Sequence, residues 1–341
     1  MALFAANESV IRPPEIAFES AYPKRSKADF CKLDSSSPEF YCMNWVKKDV
    51  VHFFVRENRV AAWILRAKEL PFPAPAIVMG PGFSGVKDCF YDLVADDFAA
   101  AGYQVVLFDY PGFGDSDGLP RQEVNYEIQI ETYRAAVDFL FTTLPDHISK
   151  VGLWGGSYSG SHALVAAATD DRIACLVAMT PFVSGSTHWQ NLPEKIRVKL
   201  SSYFAAEAAR LEGGSPAGMV PVVANDPHVF CMLPGKPAYH FGMLCQDRSA
   251  QWLNEITVQS VAMHFQYDPI HWARDIKVPC QVQIASHDEL IPAAESDRLY
   301  RTIAAPIKEL KVIPGDHFSP FLANRKETTI QAIDWFDRHL K

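Results

Sequence analysis

Short apolar segments alternate with longer segments of helical periodicity along most of the chain from about residue 50 onwards. The segments that the pattern predicts as buried strands are residues 76–79, 103–108, 151–154, 175–179, 278–285 and 310–313. Ahead of them, residues 50–55 and 60–65 form a predicted β-hairpin around Glu57-Asn58-Arg59. Short, largely apolar strands are typical of a parallel sheet with both faces covered. The pattern therefore predicts an α/β fold with a mostly parallel, doubly wound sheet.

Apolar residues recur at helical spacing in several of the segments outside these strands. They are Phe90, Leu93, Val94 and Phe98, then Ile130, Tyr133, Val137, Leu140 and Leu144, and finally Ile330, Ile333, Phe336 and Leu340. The first set predicts a helix from about residue 88, with Gly102 as its C-terminal stop. The second predicts a helix with Asn125 as its N-cap, and the third predicts an amphipathic helix near the C-terminus.

One interval, residues 182–277, lacks this alternation although it is rich in aromatic residues. An insertion of this size between two sheet strands indicates a helical cap over the strand ends. We therefore predict an N-terminal arm over residues 1–45 and the first part of an α/β core over residues 46–182. A helical cap or lid follows over residues 183–277, and the second part of the core covers residues 278–341.

The chain is organised around residues 151–160, Val-Gly-Leu-Trp-Gly-Gly-Ser-Tyr-Ser-Gly. This pattern predicts a buried strand that runs through glycines and a serine into a helix. A serine on such a tight strand-to-helix turn is presented as a nucleophile. The residues two before and two after it must be small, and here they are Gly155 and Ser159, where a second glycine is commoner. We predict Ser157 as the nucleophile.

A serine nucleophile needs a base within hydrogen-bonding reach and a carboxylate that orients the base. Ligands of open α/β sheets bind beyond the carboxyl ends of the strands, so these partners should follow later strands. The expected order is serine, acid, histidine. Asp288 follows one late predicted strand and His317 follows the last one, so we predict them as acid and base. Glu289 is the neighbouring rival, but the pattern Asp-x-Leu-x-Pro favours Asp288, and the loop after Met179 offers no nearby acid.

Attack on a carbonyl creates an oxyanion, which two preorganised backbone N–H groups should stabilise. The first expected donor is the N–H of Tyr158, at the start of a predicted helix. The second is expected in the loop after strand 76–79, at Phe83. Pro81 in the same loop has no N–H and cannot donate. The alternative interpretation of Gly80-Pro81-Gly82 is a plain tight turn.

Composition and charge exclude several function classes. The chain has 341 residues, 48% of them hydrophobic, and a net charge of −8 without a local run of Lys or Arg, so no nucleic-acid surface is expected. No apolar run is long enough to span a bilayer, and the N-terminus lacks the pattern of a signal peptide. The seven cysteines are scattered without Cys-x-x-Cys spacing, which argues against a zinc site and fits a cytoplasmic protein. We expect no metal and no organic cofactor.

Over about residues 50–341 the chain resembles the α/β-hydrolase superfamily. The motifs that carry the resemblance are Gly80-Pro81-Gly82-Phe83, residues 109–116 (Asp-Tyr-Pro-Gly-Phe-Gly-Asp-Ser), the Ser157 turn, and the loops of Asp288 and His317. The resemblance implies the α/β-hydrolase fold with an inserted helical cap, and a triad of Ser157, Asp288 and His317.

Finer motifs are similar to one branch of that superfamily. They are residues 154–160 (Trp-Gly-Gly-Ser-Tyr-Ser-Gly), the cap pattern Trp252-x-Asn254-x-x-Thr257-x-x-Ser260, and Asp316-His317-Phe318. The branch resembles Xaa-Pro dipeptidyl-peptidase-like hydrolases and fungal polyketide transferases and thiohydrolases. A serine at the place of Ser159 is familiar there. Such proteins usually have His-Gly where this chain has Pro81-Gly82.

We therefore expect a serine acyl hydrolase or acyltransferase that acts on an ester or thioester through an acyl-enzyme. The resemblance implies a polyketide or another bulky, apolar acyl chain as the small-molecule substrate, released to water, to an alcohol or as a lactone. It also implies the acyl carrier protein of a polyketide synthase as a partner. The expected pocket residues are His188, Trp189, Trp252 and Phe318.

Two alternative functions stay open at this point, a general carboxylesterase and a non-catalytic ligand-binding protein on the same scaffold. The intact Ser-Asp-His set argues against the second alternative. The aromatic residues of the predicted cap are interpreted equally well as the hydrophobic core of the cap itself, rather than as the wall of a substrate pocket. The oligomeric state, a homodimer included, is also left open.

Overall fold

The computed structural model describes residues 46–341, so the predicted N-terminal arm lies outside the described residues. A central sheet of eight strands forms the core, and a separate small sheet has two strands. The strands are β1 (Val46–Val55), β2 (Asn58–Ala67), β3 (Ala74–Gly80), β4 (Gln104–Phe108), β5 (Ile148–Gly156), β6 (Ile173–Met179), β7 (Met219–Val220), β8 (Ile256–Thr257), β9 (Cys280–Ala285) and β10 (Lys308–Ile313). The six predicted buried strands and the predicted hairpin are all present.

The strand order in the main sheet is β1-β2-β4-β3-β5-β6-β9-β10. All neighbours from β4 to β10 are parallel, whereas β2 pairs antiparallel with both β1 and β4. The predicted mostly parallel sheet is therefore confirmed. The chain leaves β3 towards one edge and returns to β5 on the other side of β3. The carboxyl ends of β3 and β5 thus form the switch point at which open α/β sheets bind ligands.

Helices cover the sheet on both faces. They are α1 (Tyr91–Ala100), α2 (Tyr126–Thr143), α3 (Tyr158–Thr169), α4 (Gly185–Asn191), α5 (Glu194–Glu212), α6 (Lys236–Arg248), α7 (Val258–Gln266), α8 (Ala293–Thr302) and α9 (Arg325–Leu340), with 3₁₀ turns at Pro145–His147 and Pro269–Asp275. On one face, Phe98 of α1 and Phe336 of α9 pack edge to face with ring centroids 5.5 Å apart. Phe98 also packs on Trp154 of β5. On the other face, α2 packs against α3.

The predicted helix ends agree with the structure at two places and differ at one. The Asn125 side chain accepts hydrogen bonds from the N–H groups of Glu127 and Ile128, as an N-cap does. Helix α1 ends just before Gly102, as predicted. It begins about three residues later than predicted, because Phe90 in front of it has a φ of 71°, outside the helical region.

The last helix is present as α9, but its buried face differs from the predicted one. Ile330 is 58% exposed, whereas Phe336 and Leu340 are buried. Ile330 lies six residues before Phe336, which is about 120° around the helix axis. It therefore faces solvent, and Trp335 belongs to the buried face instead.

The segment between β6 and β9 is mostly helical and contains α4 to α7. The sequence did not predict the pairing of β7 with β8 in this segment, because strands of two residues show no periodicity. The segment contacts the core near the strand ends, where the ring of Phe241 in α6 stacks on Phe318 at 4.6 Å. We keep the cap boundaries at residues 183 and 277 as a prediction. Within residues 46–341 no helix is long and apolar enough to cross a membrane.

A buried ion pair joins the loop after β3 to the loop after β4. Lys87 and Asp109 have side chains that are 3% and 0% exposed, and Lys87 Nζ lies 2.5 Å from Asp109 Oδ2. Lys87 Nζ also lies 2.6 Å from Asp115 Oδ2. The backbone N–H of Lys87 donates to Asp109 Oδ1 at 2.7 Å. The loop after β3 is thereby held at its far end by both side-chain and backbone contacts.

A fully buried histidine lies on α3, behind the Ser157 turn. His162 Nδ1 is 3.0 Å from the hydroxyl of Tyr267, and Nε2 is 2.9 Å from the side-chain oxygen of Gln129. Burial lowers the pKa of His162 to about 3. The folded protein therefore holds His162 neutral at any ordinary pH.

Lys87→Met should destabilise the protein by about 3–5 kcal/mol, because it leaves the Asp109 carboxylate buried without its cation. Urea unfolding measures the change. Lys47 is a matched control, since its side chain is 54% exposed and pairs with Asp49 at the surface. Lys47→Met should cost less than about 1 kcal/mol. Equal costs for the two substitutions would contradict the role given to the buried pair.

Stability should fall on acidification, because unfolded His162 takes up a proton below about pH 6.5 that folded His162 refuses down to about pH 3. The contribution of His162 is complete above about pH 6.5, and about 2 kcal/mol of it is lost by about pH 5. Urea unfolding of wild type and of His162→Gln, each at about pH 6.5 and at about pH 5, measures the contribution of His162 to stability. The two proteins share every other titrating residue, so the difference between them comes from position 162. A pH dependence that is the same in the two proteins would refute the assignment.

Candidate active site

The turn between β5 and α3 holds Ser157 in a strained backbone conformation. Its φ is 58° and its ψ is −122°, a combination that costs a residue other than glycine about 1–3 kcal/mol. The turn is so tight that a Cβ atom on Gly155 would overlap the carbonyl oxygen of Ser159. The N–H of Ser157 donates to the carbonyl of Met179 at 2.7 Å, which pins the turn to the end of β6.

The contacts of Ser159 show why a serine fits at this position, where glycine is commoner. Its side chain is fully buried, and its hydroxyl accepts a hydrogen bond from the N–H of Gly156 at 3.0 Å and lies 2.9 Å from the carbonyl of the same residue. The close approach in the turn is between backbone atoms of Gly155 and Ser159, so a small side chain at position 159 is accommodated. The serine ties the start of α3 back to the end of β5.

Ser157, His317 and Asp288 form a continuous hydrogen-bonded chain. His317 Nε2 lies 2.8 Å from Ser157 Oγ, and His317 Nδ1 lies 2.7 Å from Asp288 Oδ2. The side chains of His317 and Asp288 are each only 4% exposed. The structure thus brings together the three residues that the sequence singled out from three separate loops.

Backbone hydrogen bonds orient the carboxylate of this chain. Asp288 Oδ1 accepts from the N–H groups of Leu290 and Ile291 at 2.9 and 2.8 Å, which leaves Oδ2 for His317. The rival Glu289 is exposed and makes no hydrogen bond to His317. The loop before His317 is held in the same way by Asp316, which accepts from the two N–H groups that follow His317.

The loop after β3 reaches the nucleophile closely. A Cβ atom on Gly82 would lie 2.9 Å from Tyr91 Oη, 3.0 Å from the carbonyl oxygen of Gly156 and 3.3 Å from Ser157 Cβ, so a side chain at position 82 would be crowded on three sides. The N–H of Gly82 donates to the hydroxyl of Tyr91 at 2.8 Å. Within residues 46–341, the N–H groups of Phe83 and Tyr158 donate no hydrogen bond, and the rings of these two residues pack edge to face at 5.2 Å. Both amides are therefore free for a ligand oxygen.

A narrow cavity of about 40 Å³ opens beside Ser157 and His317. Its wall is mainly apolar and comes from the loop after β3, from the loop after β10 and from the segment between β6 and β9. The lining residues from that last segment are Val222, Val223, Leu233, Ala238, Phe241, Gly242, Cys245 and Trp252.

Two of the four expected pocket residues line this cavity, and two do not. Trp252 and Phe318 are in its wall. His188 and Trp189 lie outside the wall on α4, where His188 contacts His264 at 3.3 Å and Trp189 packs on Phe265. Aromatic density along the cap does not tell which of its residues line this cavity, and a pocket role for His188 and Trp189 stays a prediction.

Sequence reasoning missed several wall residues. Phe241 stacks directly on Phe318, next to His317, yet its segment carries no motif. Cys89, Tyr91 and Ser84 come from the turn that follows Phe83, and their place near the expected oxyanion loop was the one available signal. In the described part of the chain, no group of three or more His, Cys, Asp or Glu side chains is arranged to hold a metal ion.

The arrangement can support nucleophilic attack without further groups. Ser157 Oγ can give its proton to His317, whose second nitrogen is held by a carboxylate. The N–H groups of Phe83 and Tyr158, which donate no hydrogen bond within residues 46–341, stay the predicted donors to an oxyanion.

A family model described as serine aminopeptidase, S33 (Hydrolase_4), matches residues 73–317. The chain is 32% identical over 275 residues to the polyketide transferase grgF of a Penicillium species, covering 79% of this chain and 91% of the relative. It is 28% identical over 264 residues to the thiohydrolase aneE of Aspergillus aculeatus, covering 76% and 83%. It is 26% identical over 289 residues to the quorum-quenching protein AidA of Acinetobacter baumannii, covering 84% and 94%.

The solved structure of the α/β-hydrolase GrgF from Penicillium sp. sh18 matches with a TM-score of 0.73. The two sequences are 23% identical, and the match covers 86% of this chain and 99% of that chain, so this likeness shows the fold. The family and the relatives show an enzyme of the hydrolase or acyltransferase type, which argues against a non-catalytic ligand-binding protein. The chain belongs to the serine aminopeptidase S33 (Hydrolase_4) family of α/β-hydrolases.

Proposed function

We propose that the protein transfers acyl groups from esters or thioesters through a covalent acyl-enzyme on Ser157. The observation that carries the proposal is the pair of hydrogen bonds that links Ser157 through His317 to Asp288, in the wall of an apolar cavity. A serine without such partners is a weak nucleophile near neutral pH.

In the first step, His317 Nε2 takes the proton of Ser157 Oγ while this oxygen attacks the acyl carbonyl carbon. Asp288 accepts the hydrogen bond from Nδ1–H, keeps the imidazole in this tautomer and stabilises the imidazolium. The oxyanion that forms accepts hydrogen bonds from the N–H groups of Phe83 and Tyr158. Each such donor lowers the barrier by about 3 kcal/mol.

The tetrahedral intermediate collapses when His317 gives its proton to the leaving alkoxide or thiolate. The C–O or C–S bond of the substrate breaks, and the acyl group stays on Ser157. In the second half of the cycle a hydroxyl from water, from an alcohol or from the acyl chain itself loses its proton to His317 and attacks the acyl-enzyme. The product is an acid, an ester or a lactone, and Ser157 Oγ regains its proton.

The proposed donor is a thioester of a polyketide or another apolar acyl chain. The apolar wall of the cavity supports an apolar acyl group. The names of two relatives, a thiohydrolase and a polyketide transferase, support the thioester and the polyketide. On the same basis we include the acyl carrier protein of a polyketide synthase as the carrier of the donor.

The size of the cavity favours a second candidate, a general carboxylesterase. A cavity of about 40 Å³ is far smaller than the roughly 300–1,000 Å³ of most small-molecule sites. A short ester needs little more than this space. A long acyl chain would have to extend beyond this volume, past the wall residues Phe241, Gly242 and Cys245 of α6.

Ser157→Ala should abolish labelling by a fluorophosphonate and lower kcat for thioester turnover by about 10⁴-fold or more, because the nucleophile is lost. In-gel fluorescence measures the labelling, and a quenched assay of product formation measures kcat. Ser202→Ala, at an exposed serine of α5, is the matched control and should behave as wild type. Equal labelling of Ser157→Ala and wild type would show that another residue is the nucleophile.

Product analysis separates the two candidates and identifies the acceptor. We expect turnover of butanoyl, octanoyl and dodecanoyl N-acetylcysteamine thioesters, with free acid and ester resolved by mass spectrometry in the presence of added alcohols. A dodecanoyl thioester with a hydroxyl at its far end tests for the lactone. Ester or lactone in excess over free acid indicates a transferase, because water then competes poorly for the acyl-enzyme. Activity confined to short, water-soluble esters would contradict the polyketide proposal and favour the carboxylesterase.

A further inference from the structure

One hydroxyl in the cavity wall has no hydrogen-bond partner. Ser84 follows Phe83 in the loop after β3, lines the cavity and is only 3% exposed. Its Oγ is buried and forms no hydrogen bond within residues 46–341. Buried polar atoms in folded proteins are normally paired, so an unpaired one in a ligand cavity points to a polar atom of the ligand.

The backbone of Ser84 adds a second, independent observation. Its φ is 54°, in the left-handed region where glycine is the unstrained residue. A glycine would remove both the backbone strain and the unpaired hydroxyl. Strained residues persist where surrounding structure or function requires them, so the serine is explained if its hydroxyl takes part in binding.

A second hydroxyl lies in the same wall. Tyr91 Oη accepts the hydrogen bond from the N–H of Gly82, but in the described part of the chain it donates to no acceptor. Burial raises the pKa of Tyr91, so the phenol keeps its proton. Ser84 and Tyr91 thus offer two O–H donors in a wall that is otherwise apolar.

The charge of the wall limits the ligand group that these donors can serve. No Lys, Arg, Asp or Glu is among the residues that line the cavity. An ionised ligand group would be buried there without a counter-ion, which costs far more than a neutral one. The group is therefore an uncharged oxygen, a hydroxyl or a ketone.

The position of the hydroxyls sets where this oxygen lies on the acyl chain. Gly82 approaches Ser157 Cβ closely, and its N–H is bonded to Tyr91. Ser84 is two residues further, within about 7.6 Å of Gly82 between Cα atoms. The Tyr91 hydroxyl therefore lies beside the residue that approaches Ser157, and Ser84 follows in the same loop, so we place the ligand oxygen near the acyl carbonyl.

We propose that Ser84 is a specificity-determining residue that donates a hydrogen bond to a neutral oxygen on the acyl chain, a few carbons from the reacting carbonyl. The protein then selects oxygenated acyl chains over saturated ones of equal length. The inference rests on the proposed acyl transfer at Ser157, and it adds the class of acyl chain.

The test compares hexanoyl, 3-hydroxyhexanoyl and 5-oxohexanoyl N-acetylcysteamine thioesters. For at least one of the two oxygenated thioesters, the kcat/KM of wild type should be about tenfold or more above its kcat/KM for the hexanoyl thioester. Ser84→Ala should bring this ratio to within about twofold of one, because hexanoyl turnover does not depend on the hydroxyl. A ratio near one in wild type, or an unchanged ratio in Ser84→Ala, would overturn the proposal.

Thr180 supplies a matched control. It has a φ of 43°, is buried and has a hydroxyl without a partner within residues 46–341, but it does not line the cavity. Thr180→Val should leave the ratio of oxygenated to saturated turnover unchanged. If Ser84→Ala instead lowers Tm and reduces all three thioesters equally, Ser84 has only a structural role and the proposal fails.

A binding measurement separates this inference from the proposed function. Calorimetry on Ser157→Ala, which cannot form an acyl-enzyme, should show about tenfold tighter binding of the oxygenated thioester than of hexanoyl. The double variant Ser157→Ala/Ser84→Ala should lose that difference. Preferential binding without any turnover in wild type would refute the acyl-transfer function alone, whereas turnover without preferential binding would refute the role of Ser84 alone.

Discussion

The close backbone approach between Gly155 and Ser159 is the constraint on which the rest of the site depends. It forces Ser157 to a positive φ, and the hydrogen bond from Ser157 to Met179 holds it there. As a result the hydroxyl of Ser157 stands clear of the sheet and the N–H of Tyr158 opens α3 beside it. The strain of about 1–3 kcal/mol is small against the stability of the surrounding sheet, which keeps the turn in place.

The parallel sheet turns that local constraint into a site. Because β3, β5, β9 and β10 run in the same direction, the loops after them meet at one edge. One loop carries Ser157, one Asp288 and one His317, and the loop after β3 carries the free N–H of Phe83 and the unpaired hydroxyl of Ser84. That loop is held by the Lys87–Asp109 pair, so a buried charge pair fixes the loop that carries Phe83, the proposed oxyanion donor.

The core of this site could be predicted from the sequence because its signals are local and ordered along the chain. The turn at Ser157 follows from a few small residues, and Asp288 and His317 follow from strands that can be recognised by their apolar runs. The wall of the cavity could not be predicted in the same way. Trp189 and Phe241 look alike in the sequence, and only the packing of the helices between β6 and β9 places Phe241 in the wall and Trp189 outside it.

Peptide mass mapping can detect a covalent acyl-enzyme on Ser157. The protein is mixed with butanoyl N-acetylcysteamine thioester, quenched in acid and digested. We expect a butanoyl adduct on the peptide that contains Ser157, and no adduct on that peptide in Ser157→Ala. An adduct on another residue, such as Cys89 or Cys245 in the cavity wall, together with undiminished turnover by Ser157→Ala, would contradict this expectation.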